Sequence, residues 1–399
     1  MANVSSSNGL EKYPKLRFKG FSEAWEQVKL LELTEIAKGQ QLGKLEMISG
    51  ATYYVMNGGI SPSGYTNKYN ADANTISISE GGNSCGFVNM NTEKFWSGGH
   101  NYTLNSPSVD SYFLFSLLKY KEKEIMALRV GSGLPNIQKS ALENFAVHIT
   151  RNANEQIKIG SFLRKLDDFI SLQRQKVELL KKYKRGVSEQ LFEQIKSKST
   201  QHVFSSIFVL VQNNTFSREL LTNEETTMQN IHYGDVLIKY GSCVDIDKDA
   251  VPYIKSDAPV DKFATESYLM TGDIVIADTA EDYTVGKATE IINPNNKKIL
   301  SGLHTIPCRP VMNFAPMFMG YYLNSSSFRS QIMPLIQGTK VSSIGKSQLM
   351  KTTVYIPPVD DQKRIADFLY SIDTKINLLS ETADKMIQLK SAMLQQLFI

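Results

Sequence analysis

Few residues in this 399-residue chain stand at spacings suited to covalent chemistry. The five histidines (His100, His148, His202, His232 and His304) are scattered, and Cys85, Cys243 and Cys308 form no CxxC. Such spacing suggests neither a zinc site nor a disulfide framework. HExxH is absent, and no nucleophile elbow is expected. The nearest approach to a catalytic motif is GTKVSSIGKS, Gly338–Ser347, which ends like a phosphate-binding loop. That loop needs a glycine five residues before the glycine of GK[ST], so that backbone can curl round the phosphates. Here Lys340 holds the place and Gly338 stands too early. No catalysis by this chain is expected.

Binding chemistry is better represented. NGGISPSGYTNKYNADANT (57–75) and SEGGNSCGFVNMN (79–91) mix amide, hydroxyl, tyrosine and lysine side chains on glycine-rich segments. KYGSCVDIDKD (239–249) and DTAEDYTVGKATE (278–290) are their counterparts later in the chain. Such side chains suit hydrogen bonding to base edges and phosphates, and equally they make turns.

These loops must be held by something, and the holding elements repeat. Shifted by 206, EQIKIGSFLRKLDDFISLQRQKVELLKKYKRGVSEQLF (155–192) lies without gaps on DQKRIADFLYSIDTKINLLSETADKMIQLKSAMLQQLF (361–398). Gln156/Gln362, Ile159/Ile365, Leu163/Leu369, Asp167/Asp373 and Ile170/Ile376 are identical pairs. Upstream, GSGLPNIQKSAL (131–142) answers GTKVSSIGKSQL (338–349), and SGGH (97–100) answers SGLH (301–304). The His100/His304 match suggests a structural or loop-placing task. The chain is a tandem duplication.

Stepping by four and three from Ile159 to Leu191, eight of ten slots are apolar, against about four expected from composition. The equivalent walk from Ile365 to Leu397 finds nine of ten. This 3.5-residue seam predicts a coiled coil, and Lys184 and Lys390 are a shared exception at one slot. Asn152 and Glu155 are spaced as a capping box, and Asp360 or Asp361 is expected to cap the second helix. Two helices of about 57 Å would pair antiparallel, holding two globular parts at opposite ends of a rod. Those parts read as mixed α/β: β-rich runs include NTISIS (74–79), GDVLIKYG (234–241) and GDIVIAD (272–278). Helical stretches fall at 108–128 and 315–333.

The composition, 42% hydrophobic and 21% charged, provides material for cores. A net charge of +4 permits a nucleic-acid partner without demanding one. Apolar runs such as IFVLV (207–211) are too short to cross a bilayer, and the first residues lack a signal peptide's apolar core. A soluble, cytoplasmic protein is expected.

The order domain–helix–domain–helix, with each helix opening on (E/D)Q…I…FL…D…I and closing on LF, resembles the specificity subunit of type I restriction-modification enzymes. LRFKGFSEAWEQVKL (16–30) and VYIPPVDDQKRI (354–365) also resemble that family, whereas VHITRNANEQ (147–156) lacks the proline pair. The resemblance implies an N-terminal tail (1–19), target recognition domains at 20–152 and 194–358, and conserved spacer helices at 153–193 and 359–399. Each domain would read one half of a bipartite, asymmetric site in double-stranded DNA. The helices would dock two methyltransferase subunits, which restriction (translocase) subunits then join. S-adenosylmethionine, ATP and Mg would belong to those partners, with no cofactor on this chain. Within that reading the candidate DNA contacts are Tyr65, Asn67 and Lys68, then Lys239, Tyr240, Thr279, Tyr283 and Lys287, with Lys340 for the DNA backbone. A non-catalytic coiled-coil scaffold that binds proteins is the alternative.

Overall fold

The computed structural model describes residues 12–131, 133–260, 262–338 and 340–399, together with the strand Ala2–Asn3. By their packing these residues form two compact units, 1–175 with 380–399, and 176–379. Each unit joins one mixed α/β domain to segments of two long helices, Ala153–Lys196 and Val359–Leu397.

All twenty seam positions of these helices are buried or half-buried, while most residues between them are exposed. The 3.5-residue walk therefore traces the packed stripe. In one unit Lys390 meets Asp167, and in the other Lys184 meets Asp373. Moving 17 residues forward along the first helix moves the partner 17 residues back along the second, so the helices run antiparallel.

Each helix start is fixed by the same glutamine. Gln156 Nε2 donates to the Thr150 carbonyl while its Oε1 accepts from Asp110 N. Gln362 Nε2 donates to the Pro357 carbonyl, and its Oε1 accepts from Ala315 N. The capping details differ from expectation. Asn152 caps the first helix, accepting from Asn154 N and Glu155 N. Glu155 does not reach back to complete a box: it forms a buried two-point ion pair with Arg17, at 2.6 and 2.8 Å. Arg17 thus belongs to the packed body of its unit, not to a tail. The second helix begins at Val359, so Asp360 and Asp361 occupy its first turn; Pro358, whose carbonyl accepts from Asp361 N and Gln362 N, stands at the cap.

The two domains share a four-stranded antiparallel frame. In the first it runs Glu35–Lys38, Asn101–Asn105, Thr75–Ser79, Val88–Asn91. In the second it runs Phe208–Leu210, Thr305–Pro310, Ile274–Ala277, Ala288–Ile292, and Cys243–Asp245 adds a parallel fifth strand. The β-rich runs at 74–79 and 272–278 do form strands, Thr75–Ser79 and Ile274–Ala277. The run at 234–241 does not, and Tyr233–Ile238 is a helix. His232 caps that helix by accepting from Gly234 N, and Val236 and Tyr240 pack into one apolar cluster.

The helix ends complete the cores. Phe398, 2% exposed, sits 5.5 Å from Phe113, 5.9 Å from Tyr120 and 6.1 Å from Trp25 between ring centroids. Phe192, 1% exposed, sits 5.6 Å from Tyr322 and 6.1 Å from Phe318. Each repeat's final Leu-Phe therefore fills the core built by the other repeat's domain. Truncating a buried phenylalanine costs about 3–5 kcal/mol. Phe398→Ala is expected to speed amide exchange around Trp25 and Phe113, far upstream in sequence. Phe192→Ala should instead loosen the region around Phe318 and Tyr322. Residue-resolved hydrogen exchange distinguishes this crossed pattern from a local one.

Candidate functional site

The shared frame brings the same groups together in both domains. In the first, antiparallel pairing of Asn101 with Ser79 sets the flanking residues His100 and Glu80 side by side. Glu80 N donates to the His100 carbonyl at 3.0 Å, and His100 Nδ1 lies 3.7 Å from Glu80 Oε2. Lys38 Nζ and the Tyr102 hydroxyl donate to Glu80 Oε1, at 2.6 and 3.1 Å. Burial and the Glu80 charge both hold the Tyr102 hydroxyl in its protonated form, pushing its pKa up. A returning loop closes over this corner: Ile137 N donates to the Glu80 carbonyl, and Gly81 bridges to Asn136.

The second domain repeats the arrangement. Ala277 pairs with Thr305, so Asp278 and His304 are neighbours. Asp278 N donates to the His304 carbonyl at 3.1 Å, and His304 Nδ1 lies 3.4 Å from Asp278 Oδ1. Ile344 N donates to the Asp278 carbonyl, as Ile137 N does to Glu80. Thr279 and Ala280 pair with Ser343 and Ser342 of the returning loop. His304 holds a left-handed backbone, φ +56°, which a non-glycine residue adopts only where its surroundings impose it. The Tyr233 ring packs edge-on against its imidazole, with centroids 5.4 Å apart.

Both corners expose an imidazole beside a carboxylate, with a lysine just past the loop, Lys139 or Lys346. The geometry suits outward hydrogen bonding and phosphate contact, not nucleophilic attack. Thr279 Oγ1 donates to Asp278 Oδ1 at 2.7 Å and meets the same His304 Nδ1 that faces the carboxylate. A relay needs the imidazole between nucleophile and acid, and here it is not. The letters GxSxG do occur, as GNSCG at Gly82–Gly86. They form the turn between strands Thr75–Ser79 and Val88–Asn91, and Ser84 Oγ donates to the Gly58 carbonyl, so no strand-to-helix elbow exists there. Among the described residues no group of three or more His, Cys, Asp or Glu could hold a metal. Among them, too, no helix is long and apolar enough to cross a membrane.

The profile of the type I restriction modification DNA specificity domain matches this chain twice, over residues 22–182 and 212–388. The chain belongs to that family. It is 32% identical over 182 residues to a type I specificity subunit of Mycoplasma genitalium, covering 45% of this chain and 47% of the relative. The alignments to this protein and its Mycoplasma pneumoniae counterpart thus span about half the length of each relative. The MjaVIII specificity subunit of Methanocaldococcus jannaschii is 23% identical over 301 residues, 72% of this chain and 69% of that one. The crystal structure of a type I restriction-modification S subunit from M. genitalium superposes with a TM-score of 0.69 at 21% identity, over 97% of this chain and 99% of that one. The fold is the same.

In this specificity-family chain the polar-loop residues fall into three groups. Thr279 lies in the His304 corner, and Lys340 is exposed on the loop that closes it. Tyr65 is exposed on the strand Gly64–Thr66 of a small sheet with Tyr53–Met56 and Trp96–Ser97, and exposed Asn67 and Lys68 follow it, with Lys68 paired to Glu46 at 2.7 Å. Tyr283 is 77% exposed.

Three expected contacts are differently engaged. Tyr240 is a core residue, 3% exposed, and cannot reach a ligand from there. Lys287 Nζ donates to the Leu237 carbonyl; burial, then Lys184 and Arg329, lower its pKa. Lys239 donates to the Ala250 carbonyl and covers the Tyr240 ring. Sequence reasoning passed over Glu80 and Asp278, although each directly follows a strand of the shared frame.

Gly338 carries the loop's turn at φ +104°, and a Cβ there would stand 2.0 Å from the Val341 carbonyl oxygen. Gly338→Ala is expected to strain the loop by about 1–3 kcal/mol. Ser343 and Ile344 amides should then exchange roughly ten- to a hundredfold faster. Gly345→Ala, at φ −78° with only a movable Gln348 side chain nearby, should not change them.

Proposed function

We propose that this chain is the DNA-reading subunit of a type I restriction-modification complex, with one half of a bipartite target read by each domain. The observation that carries this reading is the recurrence of one corner, carboxylate, histidine and closing loop, on matching frames of two domains whose surrounding loops differ. Two readers in one chain suit a target of two unlike half-sites. The exposed imidazoles, Lys139, Lys340 and Lys346 would meet phosphates, while side chains of the divergent loops, Tyr65, Asn67, Tyr283 and Thr279 among them, would meet bases.

In this reading the chain is not itself catalytic. The helix pair docks two methyltransferase subunits, and restriction subunits join them. S-adenosylmethionine, ATP and Mg act on those partners, in the cytoplasm.

The test is a domain exchange in the complete complex. Residues 20–149 are replaced by the equivalent region of another specificity subunit, keeping Trp25, Phe113 and Tyr120 so that Phe398 retains its pocket, and Tyr112 so that Asp167 retains its partner. Methylome sequencing is expected to show one half of the methylated sequence changed and the other half kept. If both halves changed together, or if methylation did not depend on the chain, the reading would be wrong. The scaffold alternative predicts the second outcome.

A further inference from the structure

The seam's two lysines, Lys184 and Lys390, are built into two matching clusters. In one unit Lys390 Nζ donates to both Asp167 oxygens, at 2.5 and 2.7 Å, and the Tyr112 hydroxyl donates to Asp167 Oδ2 at 2.6 Å. In the other, Lys184 Nζ donates to both Asp373 oxygens at 2.6 Å, and the Tyr321 hydroxyl donates to Asp373 Oδ2 at 2.7 Å. In both clusters each side chain comes from a different element. The aspartate stands on the helix that follows its domain, the lysine on the opposing helix, and the tyrosine on a short domain helix, Ser111–Tyr120 or Phe318–Leu323. Burial first, then the aspartate, keeps both tyrosines protonated and donating.

Because the helices are repeats, an apolar seam alone would not choose their direction. Laid parallel at the 206-residue repeat register, Lys184 would face Lys390 and Asp167 would face Asp373. The antiparallel arrangement turns those two like-charge encounters into two ion pairs. A polar residue at a single seam slot is a known means of fixing register.

We infer that the two Lys–Asp–Tyr clusters are positioning elements. Their ion pairs select the antiparallel register, and Tyr112 and Tyr321 fix the angle of each domain on the helix pair. In the DNA-reading function proposed above, on which this consequence rests, they set the distance between half-sites.

Tyr112→Phe and Tyr321→Phe remove the domain link and leave each Lys–Asp pair intact. In the complete complex, methylation at targets whose spacer is one base pair longer or shorter is expected to rise about tenfold relative to the parent spacer. That is the scale of one hydrogen bond to a charged group. The half-sequences should not change. A purely structural role would lower methylation at every spacing alike, and an unchanged spacing distribution overturns the inference.

A second arm reads the cluster without DNA. Spin labels at Lys94→Cys, on the first domain, and Arg174→Cys, on the first helix, report their distance distribution in the full chain. Tyr112→Phe is expected to broaden it, and Asp167→Asn to broaden it at least as much. Unchanged widths would also overturn the inference. Broadening without any two-part methylation would leave the clusters as angle locks and remove the DNA reading instead.

Discussion

The structure depends on a core that no repeat completes alone. Trp25 and Phe113 leave a space filled by Phe398, from the far end of the chain, and Tyr322 and Phe318 leave one filled by Phe192. An aromatic side chain buries roughly 150–250 Å², so each exchange seats a large apolar side chain in the core it enters. This gives the duplicated Leu-Phe its meaning. Helix length, seam and direction are all constrained by the need to deliver that phenylalanine to the core of the other repeat's domain. A helix one turn short would leave an aromatic pocket open at rings more than a hundred residues away in sequence, Phe318 for Phe192 and Phe113 for Phe398.

With the cores closed in this way, the frame strands are free to carry different loops. What the two domains keep in common at the corner is mostly backbone: Ile137 N to the Glu80 carbonyl, Ile344 N to the Asp278 carbonyl, and the backbone N–H of Glu80 or Asp278 to the histidine carbonyl. Backbone bonds place no demand on side-chain identity. Glutamate can therefore become aspartate, and Gly81 can become Thr279, without moving the closing loop. The first domain spends its extra residues on a small three-stranded sheet. The second spends them on a fifth frame strand and a separate sheet of Leu221–Thr222, Tyr253–Ile254, Met228–Ile231 and Lys298–Ser301. A frame held through its backbone leaves the loop side chains free to differ between the two domains.

The parts legible in the sequence were those written in local periodicity. The seam from Ile159 to Leu191 and from Ile365 to Leu397 could be read because 3.5-residue spacing survives in any context that buries one stripe. The strands around Ile76 and Ile276 could be read because apolar alternation or a short β-branched run admits few alternatives. GDVLIKYG misled because a brief apolar run fits strand and helix equally. Its outcome turned on the His232 cap, a local bond that alternation does not encode. The site was less legible. Polar flavour marked exposed Tyr65 and half-buried Thr279, but it could not separate exposed Tyr283 from buried Tyr240. Nor could it show that a carbonyl 50 residues upstream claims the Lys287 amine. The Glu80–His100 and Asp278–His304 neighbourhoods arise from strand pairing across 20 and 26 residues, which composition does not report.

The two helix starts show which residue in the repeat is indispensable to the junction. After the first domain, Asn152 caps the helix and Arg17 meets Glu155 in a buried pair. After the second, Pro358 stands at the cap and, among the described residues, Asp361 pairs with nearby Arg364. Breaking the buried Arg17–Glu155 pair would strand a charge, at a cost of about 3–5 kcal/mol. Yet the second junction does without such a pair, so charge pairing is one solution among several. Gln156 and Gln362 are the common term. Only a side chain with both a donor and an acceptor can bond the preceding strand's carbonyl and a domain amide at once. A glutamate would lose the donor, a lysine the acceptor, and an asparagine the reach. The helix is thus tied to its domain by one neutral amide at its start and by a charged Lys–Asp–Tyr cluster eleven residues further on, at Asp167 or Asp373. Two attachment points along one axis are the least that can define both the tilt and the rotation of a domain on a helix.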